Sequence, residues 1–198
     1  MMIPILFVFV SYFLGSIPWG YLICKIFAKK DIREYGSGNI GATNVYRVAG
    51  GFLAISVLIL DILKGFLPVF ISKKVFHFPP IWMIIIGISS VLGHNFSIFM
   101  KGKGGKGVST SFGVIIGLFP KAAISSLIIW VLVIISTHYV SVGALCASFA
   151  LPFFIYVFEG KNFLYTLIGI FLFILILYSH KGNIKRIIEK KEWGYKKY

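Results

Sequence analysis

Acidic side chains are nearly missing: six Asp and Glu stand in a chain of 198 residues that carries 20 Lys and Arg. So few carboxylates leave no cluster for magnesium, no acid pair for glycosyl transfer and no HExxH zinc helix, so neither a metal site nor a cofactor is expected. Cysteine is equally scarce. Cys24 and Cys146 have neither zinc spacing nor the pattern of a disulfide scaffold, and both are read as packing residues. Charged residues make up only 13% of the chain and hydrophobic ones 58%, with a mean hydropathy of +0.91. That balance excludes a soluble globular module and predicts an all-α, polytopic integral membrane protein. No basic n-region precedes the first apolar run and no small-x-small cleavage site follows it, so it reads as a retained span rather than a signal peptide. Internal repeats, low-complexity linkers and domain boundaries are absent as well, which predicts one membrane-embedded domain over residues 1–198.

The net charge of +14 would suit a nucleic-acid binder. Its basic residues, however, are spread over short stretches between apolar runs instead of forming one stripe, so no nucleic-acid partner is expected. A positive-inside membrane protein accounts for them, and the same charge draws anionic lipid and anionic substrates to that face.

A chain of this length supplies about five to seven spans of roughly 20 residues. The first apolar segment runs from about Ile3 to Ile23, with Gly15, Pro18 and Gly20 allowing a bend near its end. Lys25, Lys29, Lys30 and Arg33 follow, marking that end as cytoplasmic. A glycine-rich loop fills positions 31 to 50, opening on Asp31-x-Arg33 as an interfacial anchor. The next spans run from about Phe52 to Ile71 and from Ile81 to Phe99. Residues 108 to 137 form one overlong span or two short ones, broken at Pro120-Lys121. Val140 to Phe158 and Phe163 to Ser179 complete the set, joined by a tight turn at Glu159-Gly160-Lys161-Asn162.

Charge parity favours splitting residues 108–137. With seven spans, fifteen Lys and Arg fall on the side of the glycine loops, four on the other and one, Lys64, within a helix. Five spans plus two re-entrant segments give the same parity. Val108 to Leu118 is about 16 Å of helix, too short to cross the bilayer alone, and its Gly113-x-x-x-Gly117 permits close helix packing. Asp61 and Lys64, three apart in the second span, share a helix face. They read either as a structural ion pair facing the bundle interior or as a brace for a catalytic loop.

Three polar stretches stand out from the Ile, Leu, Val and Phe background. The first is Gly36-Ser37-Gly38-Asn39-Ile40-Gly41-Ala42-Thr43-Asn44-Val45-Tyr46-Arg47, where glycines can turn backbone N–H groups inward and Ser, Thr and Asn add short donors around an anion. Arg47 adds the bidentate charge a phosphate prefers. The second, Lys101-Gly102-Lys103-Gly104-Gly105-Lys106-Gly107, precedes Ser109, Thr110 and Ser111 in a helix's first turn. It reads either as a solvated connector or as a second anion site. The third is His180-Lys181-Gly182-Asn183-Ile184-Lys185-Arg186, and the seven-span parity puts all three on one membrane face. Gly36-x-Gly38-x-x-Gly41 is no dinucleotide fingerprint, because an apolar span precedes it instead of a strand. Gly102 and Gly107 have Walker spacing, but Val108 stands where the lysine belongs.

No Asp or Glu stands in a motif position to orient His94, His138 or His180, so no nucleophile–base pair is visible. Many anion donors with few acids suit a reaction whose leaving group departs readily as phosphate. An organophosphate or anion transporter is the alternative, although transporters hold substrate near the bilayer midplane and often repeat a half, and neither trait is seen here.

The chain resembles the bacterial acyl-phosphate-dependent glycerol-3-phosphate acyltransferase family (PlsY) almost end to end. The resemblance lies in Gly15-Ser16-Ile17-Pro18-x-Gly20, in Asp31-x-Arg33 with the first glycine loop through Arg47, and in Asp61-x-x-Lys64-Gly65. It continues through Gly93-His94, Lys103-Gly104-Gly105-Lys106-Gly107-Val108-x-Thr110, Tyr139-Val140-Ser141 and His180-x-x-Asn183-Ile184-x-Arg186. It implies a seven-helix enzyme of the bacterial inner membrane with an external amino end and cytoplasmic motif loops. Such an enzyme moves a fatty acyl group from acyl phosphate to the first hydroxyl of glycerol 3-phosphate, giving lysophosphatidic acid and inorganic phosphate beside membrane lipids.

By motif match the resemblance implies catalytic roles for Ser37, Arg47, Lys106 and His180. It implies substrate binding by Gly36, Gly38, Asn39, Gly41, Thr43, Asn44, Lys103, Gly104, Gly105, Gly107, Ser141 and Asn183. Like the family, the chain lacks the His-x-x-x-x-Asp motif of soluble-type acyltransferases, which implies that substrate phosphate takes the hydroxyl proton; His180 then reads as a hydrogen-bond donor, with a general base as the alternative. Two phosphates held side by side require positive charge, and each oriented donor is worth about 3 kcal/mol by analogy with oxyanion holes. Four positions depart from the family pattern: Gly182 where Glu is common, Ser97 where Pro is usual, Gly102 where an aromatic is usual, and His138 where Arg precedes Tyr-Val-Ser.

Overall fold

The structure, a computed structural model, describes residues 2–194; Met1, with the amino end, and the last four positions of the basic tail expected to run to Tyr198 lie outside the described residues. Every regular element within that range is helical. The residues form two compact units divided between Leu118 and Phe119.

The first unit opens with α1 (Met2–Ser16), which stops where Pro18 removes a backbone donor, and the chain resumes as α2 (Trp19–Ile23). A π-helical turn over Cys24–Ala28 then ends at Lys29 in the left-handed conformation. Positions 31 to 50, expected as loop throughout, contain a 3-10 turn (Ile32–Glu34) and an amphipathic helix, α3 (Ala42–Ala49). Next come α4 (Gly51–Lys74), α5 (Pro80–Asn95) and, after a 3-10 turn at Ile98–Met100, the short α6 (Val108–Leu118).

Helix α1 packs on α5, and α4 on α6. Hydroxyls inside these seams bond carbonyls of the facing helix, as required where no water can serve them: Ser11 donates to Ile86 O at 2.7 Å and Ser89 to Val8 O at 2.7 Å. The close approach expected at Gly113-x-x-x-Gly117 is present. A Cβ at Gly113 would overlap the Ile62 carbonyl, and one at Gly117 would lie 3.0 Å from Val69 Cγ1. Lys73 Nζ donates to the Gly117 and Leu118 carbonyls at 3.3 Å each, which gives the last turn of α6 the partners a helix C-terminus lacks.

The second unit holds α7 (Pro120–Thr137), α8 (Val140–Phe158), α9 (Phe163–Ser179) and α10 (Lys181–Ile188), each packed on the next. Residues 108–137 are thus two helices, broken at Phe119 with Pro120 opening α7. The turn expected at Glu159–Asn162 has Gly160 and Lys161 at positive φ, and Asn162 Oδ1 accepts from Tyr165 N at 3.3 Å to cap α9. Cys24 is buried as expected, but Cys146 lies exposed on α8 and packs no core.

Five described helical stretches are long and apolar enough to cross a membrane: Met2–Ala28, Gly51–Lys74, Pro80–Met100, Pro120–Thr137 and Val140–Phe158. Helices α9 and α10, bent by 59°, make a sixth if taken together, and α6 is a shorter apolar helix.

Candidate active site

In the first unit the glycine loop is built around one side chain. Asn44, in the first turn of α3, is 2% exposed; its amide hydrogens point at the carbonyls of Ile32, Tyr35 and Asn39 at 3.3, 3.0 and 2.9 Å, and its Oδ1 accepts from Ser37 N at 3.0 Å. With both ends of the carboxamide spent inside the loop, Asn44 shapes the site and does not reach for a ligand. Asn39 works similarly, its Oδ1 accepting from Gly41 N at 2.9 Å. Gly36 and Gly38 have φ of +57° and +68°, and a Cβ on Gly36 would strike Asn44 Oδ1, so neither position accepts a larger residue without strain. Ser37, Gly38, Gly41 and Thr43 remain half-buried at the loop's rim, and Arg47 is half-buried on α3, one helical turn from Thr43.

Asp31 and Arg33, expected as an interfacial anchor, form an ion pair with each other. Arg33 Nε lies 2.8 Å from Asp31 Oδ1, its guanidinium carbon sits 4.9 Å over the Tyr21 ring of α2, and the bonds from Arg33 hold the Asp31 carboxyl down to about 2.

The lysine-glycine loop is pinned to the end of α5. Gly104 N and Gly105 N donate to the Asn95 and His94 carbonyls at 3.0 Å each, and Gly105 lies against the His94 ring so closely that a Cβ there would overlap Nε2. Lys103 is exposed at its tip and Lys106 half-buried near the start of α6. The family departures at 97 and 102 fit locally: Ser97 Oγ donates to Ser16 O, and Gly102 takes φ +77°.

Met100, which leads into the lysine-glycine loop, shares one hydrophobic cluster with Ile23, Ile32, Ile40, Val45 and Val57. Both anion-suited loops therefore sit on one core at one end of the first unit.

Beneath that end lies a buried polar cluster. Lys64 Nζ is 3.0 Å from Asp61 Oδ1 and donates to Ile17 O, at the α1–α2 break, at 3.0 Å. His94 Nδ1 stands 3.7 Å from the same Asp61 oxygen. Asp61 is thus the carboxylate near His94 that sequence reasoning did not see, since 33 positions separate the two residues. Asp61 and Lys64 thus form the buried ion pair expected of them, and the His94 ring that packs on Gly105 stands beside it.

The second unit gathers Ser141, His180 and Asn183, all buried, at one end of the α8–α9 hairpin. His180 Nδ1 lies 2.8 Å from Ile176 O. A carbonyl only accepts, so Nδ1 carries the hydrogen and the neutral ring offers an acceptor at Nε2; a donor role toward substrate requires the imidazolium. Sequence reasoning missed Glu192 entirely. Its carboxylate accepts from Ser141 Oγ at 2.8 Å, Asn183 Nδ2 at 2.6 Å and Arg186 Nε at 2.9 Å. Burial pushes Glu192 up, but the bonds from Asn183, Ser141 and Arg186 outweigh it and keep the carboxyl below its ordinary range. Among the described residues no three His, Cys, Asp or Glu come together as metal ligands.

The family model for glycerol-3-phosphate acyltransferase matches residues 5–190. The chain belongs to that family. Among its relatives, the glycerol-3-phosphate acyltransferase of Fusobacterium nucleatum subsp. nucleatum is 42% identical over 190 residues, covering 96% of this chain and 97% of the relative. That of Geotalea daltonii is 41% identical over 94% of this chain and 95% of its own. The crystal structure of PlsY (YgiH), an integral membrane glycerol 3-phosphate acyltransferase, in its glycerol 3-phosphate form has a TM-score of 0.91 at 36% identity. The match covers 96% of this chain and 94% of that one. Its lysophosphatidic acid form has a TM-score of 0.88. This chain is therefore an all-α, multi-pass integral membrane protein of an acyltransferase family, and nothing among these relatives supports the transporter alternative.

Proposed function

We propose that the protein transfers a fatty acyl group from acyl phosphate to the first hydroxyl of glycerol 3-phosphate, releasing lysophosphatidic acid and inorganic phosphate. The observation that carries this reading is the pair of glycine loops, bearing Arg47 and Lys106, built on one core at one end of the first unit. A reaction between two phosphate-bearing substrates needs that concentration of cationic groups, because the phosphates repel each other as they approach. The substrate hydroxyl attacks the acyl carbonyl carbon, a new ester C–O bond forms, and the carbonyl–phosphate C–O bond breaks. The hydroxyl proton passes to substrate phosphate, so atoms and charge balance with no side-chain base consumed.

In this reading Ser37, Arg47 and Lys106 hold phosphate oxygens or the developing oxyanion, while the N–H groups of Ser37, Gly41, Gly104 and Gly105, bonded within the protein, fix the shape of the two loops. Asn44 contributes by shaping the first loop. Ser141, His180 and Asn183 serve the glycerol moiety and its reacting hydroxyl. The chain acts as one membrane-embedded domain with seven crossings in a bacterial inner membrane, the amino end outside and the motif loops cytoplasmic.

Purified protein given acyl phosphate and glycerol 3-phosphate should form lysophosphatidic acid and inorganic phosphate one for one. Arg47→Ala and Lys106→Ala should each lower the rate by about a hundredfold, the loss typical of one oriented oxyanion donor. Phosphate release without acylated product, or unimpaired variants, would overturn the assignment.

A further inference from the structure

The first apolar stretch, Met2–Ala28, is 27 residues long. At 1.5 Å per residue it outruns a hydrocarbon core of about 30 Å by roughly 10 Å, so its last turn stands at the level of the lipid headgroups. That turn, the π-helical Cys24–Ala28, mixes two chemistries on its outer side. Ile26 and Phe27 are 56% and 68% exposed, and Lys25 is exposed beside them. Lys29, which ends the turn in the left-handed conformation, is exposed as well, and so is Lys30. Arg33 is already engaged, paired with Asp31 and stacked on the Tyr21 ring. The lysines are not: among the described residues no carboxylate lies within ion-pair distance of Lys25, Lys29 or Lys30. Lys25 Nζ donates to the Tyr21 hydroxyl at 2.8 Å, and Lys30 Nζ lies 5.6 Å from the centre of the Tyr35 ring. Such partners place an ammonium group without neutralising it.

We propose that the end of the first span binds an anionic phospholipid of the surrounding leaflet, its phosphate among Lys25, Lys29 and Lys30 and its acyl chains against Ile26 and Phe27. Charge complementarity selects the headgroup. The apolar pair selects a lipid over a soluble anion, which would meet the same charge but leave Ile26 and Phe27 in water. Two residues beyond Lys30, Ile32 is fully buried in the core that carries both glycine loops. A lipid held by Lys30 therefore fixes the height of that core at the membrane surface, whatever reaction the loops serve.

Native mass spectrometry of the full chain in detergent, titrated with phosphatidylglycerol or with phosphatidylcholine of the same acyl chains, tests this without turnover. The unaltered protein should hold its first phosphatidylglycerol at least about tenfold more tightly than phosphatidylcholine. Lys25→Gln combined with Lys29→Gln and Lys30→Gln should abolish that preference, since each lysine near the headgroups is worth about fivefold. Arginine at the same three positions should keep it. Lys74→Gln with Lys161→Gln, away from the turn, should leave it unchanged, and Ile26→Ser with Phe27→Ser should weaken both lipids alike. A large excess of inorganic phosphate should leave the phosphatidylglycerol bound. If the triple variant is not recovered folded, Lys29→Gln and Lys30→Gln singly decide the matter, each expected to lose about fivefold. Equal retention of the two lipids, a preference that survives loss of the lysines, or displacement by inorganic phosphate would overturn the proposal.

Discussion

At the residue scale, the most telling side chains are charged groups placed where charge is costly. Asp61 and Lys64 are buried within an apolar helix, and the ammonium also satisfies the Ile17 carbonyl left by the α1–α2 break. Removing one partner strands the other, so Asp61→Asn or Lys64→Met should cost about 3–5 kcal/mol, while Asp61→Leu with Lys64→Met should cost less than either alone. Thermal unfolding in detergent measures this, and a double variant worse than both would contradict the ion-pair account. Glu192 and Asp31 carry the acid side of stability. Both carboxyls are held below their ordinary values, so each stabilises the folded chain above those values, near 4.5 and 3.8, and ceases to do so as pH falls below them, for Asp31 through about 2. The protection of residues 181–194 against hydrogen exchange, taken relative to the intrinsic rate at each pH, should fall as pH drops below 4.5, since three donors depend on one carboxylate. A flat profile would show that Glu192 does not hold that segment.

At the scale of elements, the apolar runs were legible because a bilayer demands long uninterrupted helices, and the breaks at Pro18 and Pro120 follow from a missing N–H. Helix α3 was not legible. Between Gly41 and Gly50 its eight residues mix Ala, Thr, Asn and Arg, and glycine on both sides reads as loop. The motif residues were all visible as a set of donors, but their division of labour was not. Asn44 looks like a ligand in sequence and turns out to be the loop's internal tie. His94 and Asp61 meet through α4–α5 packing that no local spacing announces, and Glu192 is hidden among lysines whose charge the positive-inside pattern already explains. The contact of Gly105 with the His94 ring makes this chain of support testable. Gly105→Ala should displace the ring and the loop together and lower activity more than tenfold, roughly the cost of a one-ångström misplacement, whereas Gly102→Ala, with open space around it, strains only the loop tip. Equal effects of the two would contradict a loop braced on His94.

At the scale of the whole molecule, the reading depends on parity, since residues of the first and second units can serve one reaction only if they open to one aqueous side. Single cysteines near Ser37, Lys103 and Lys190, in a background lacking Cys24 and Cys146, should all react with a membrane-impermeant reagent from the cytoplasmic side alone. Opposite accessibility at Lys190 would remove the seven-crossing parity. The central claim concerns the donor, because clustered phosphate-binding groups with so few acids and bases suit a leaving group that departs already as phosphate. Initial rates on purified protein with glycerol 3-phosphate and, in turn, acyl phosphate, acyl-CoA and acyl-carrier protein test it most directly. The account predicts turnover with acyl phosphate alone; comparable rates with either thioester, in the absence of any phosphate-activating partner, would contradict it.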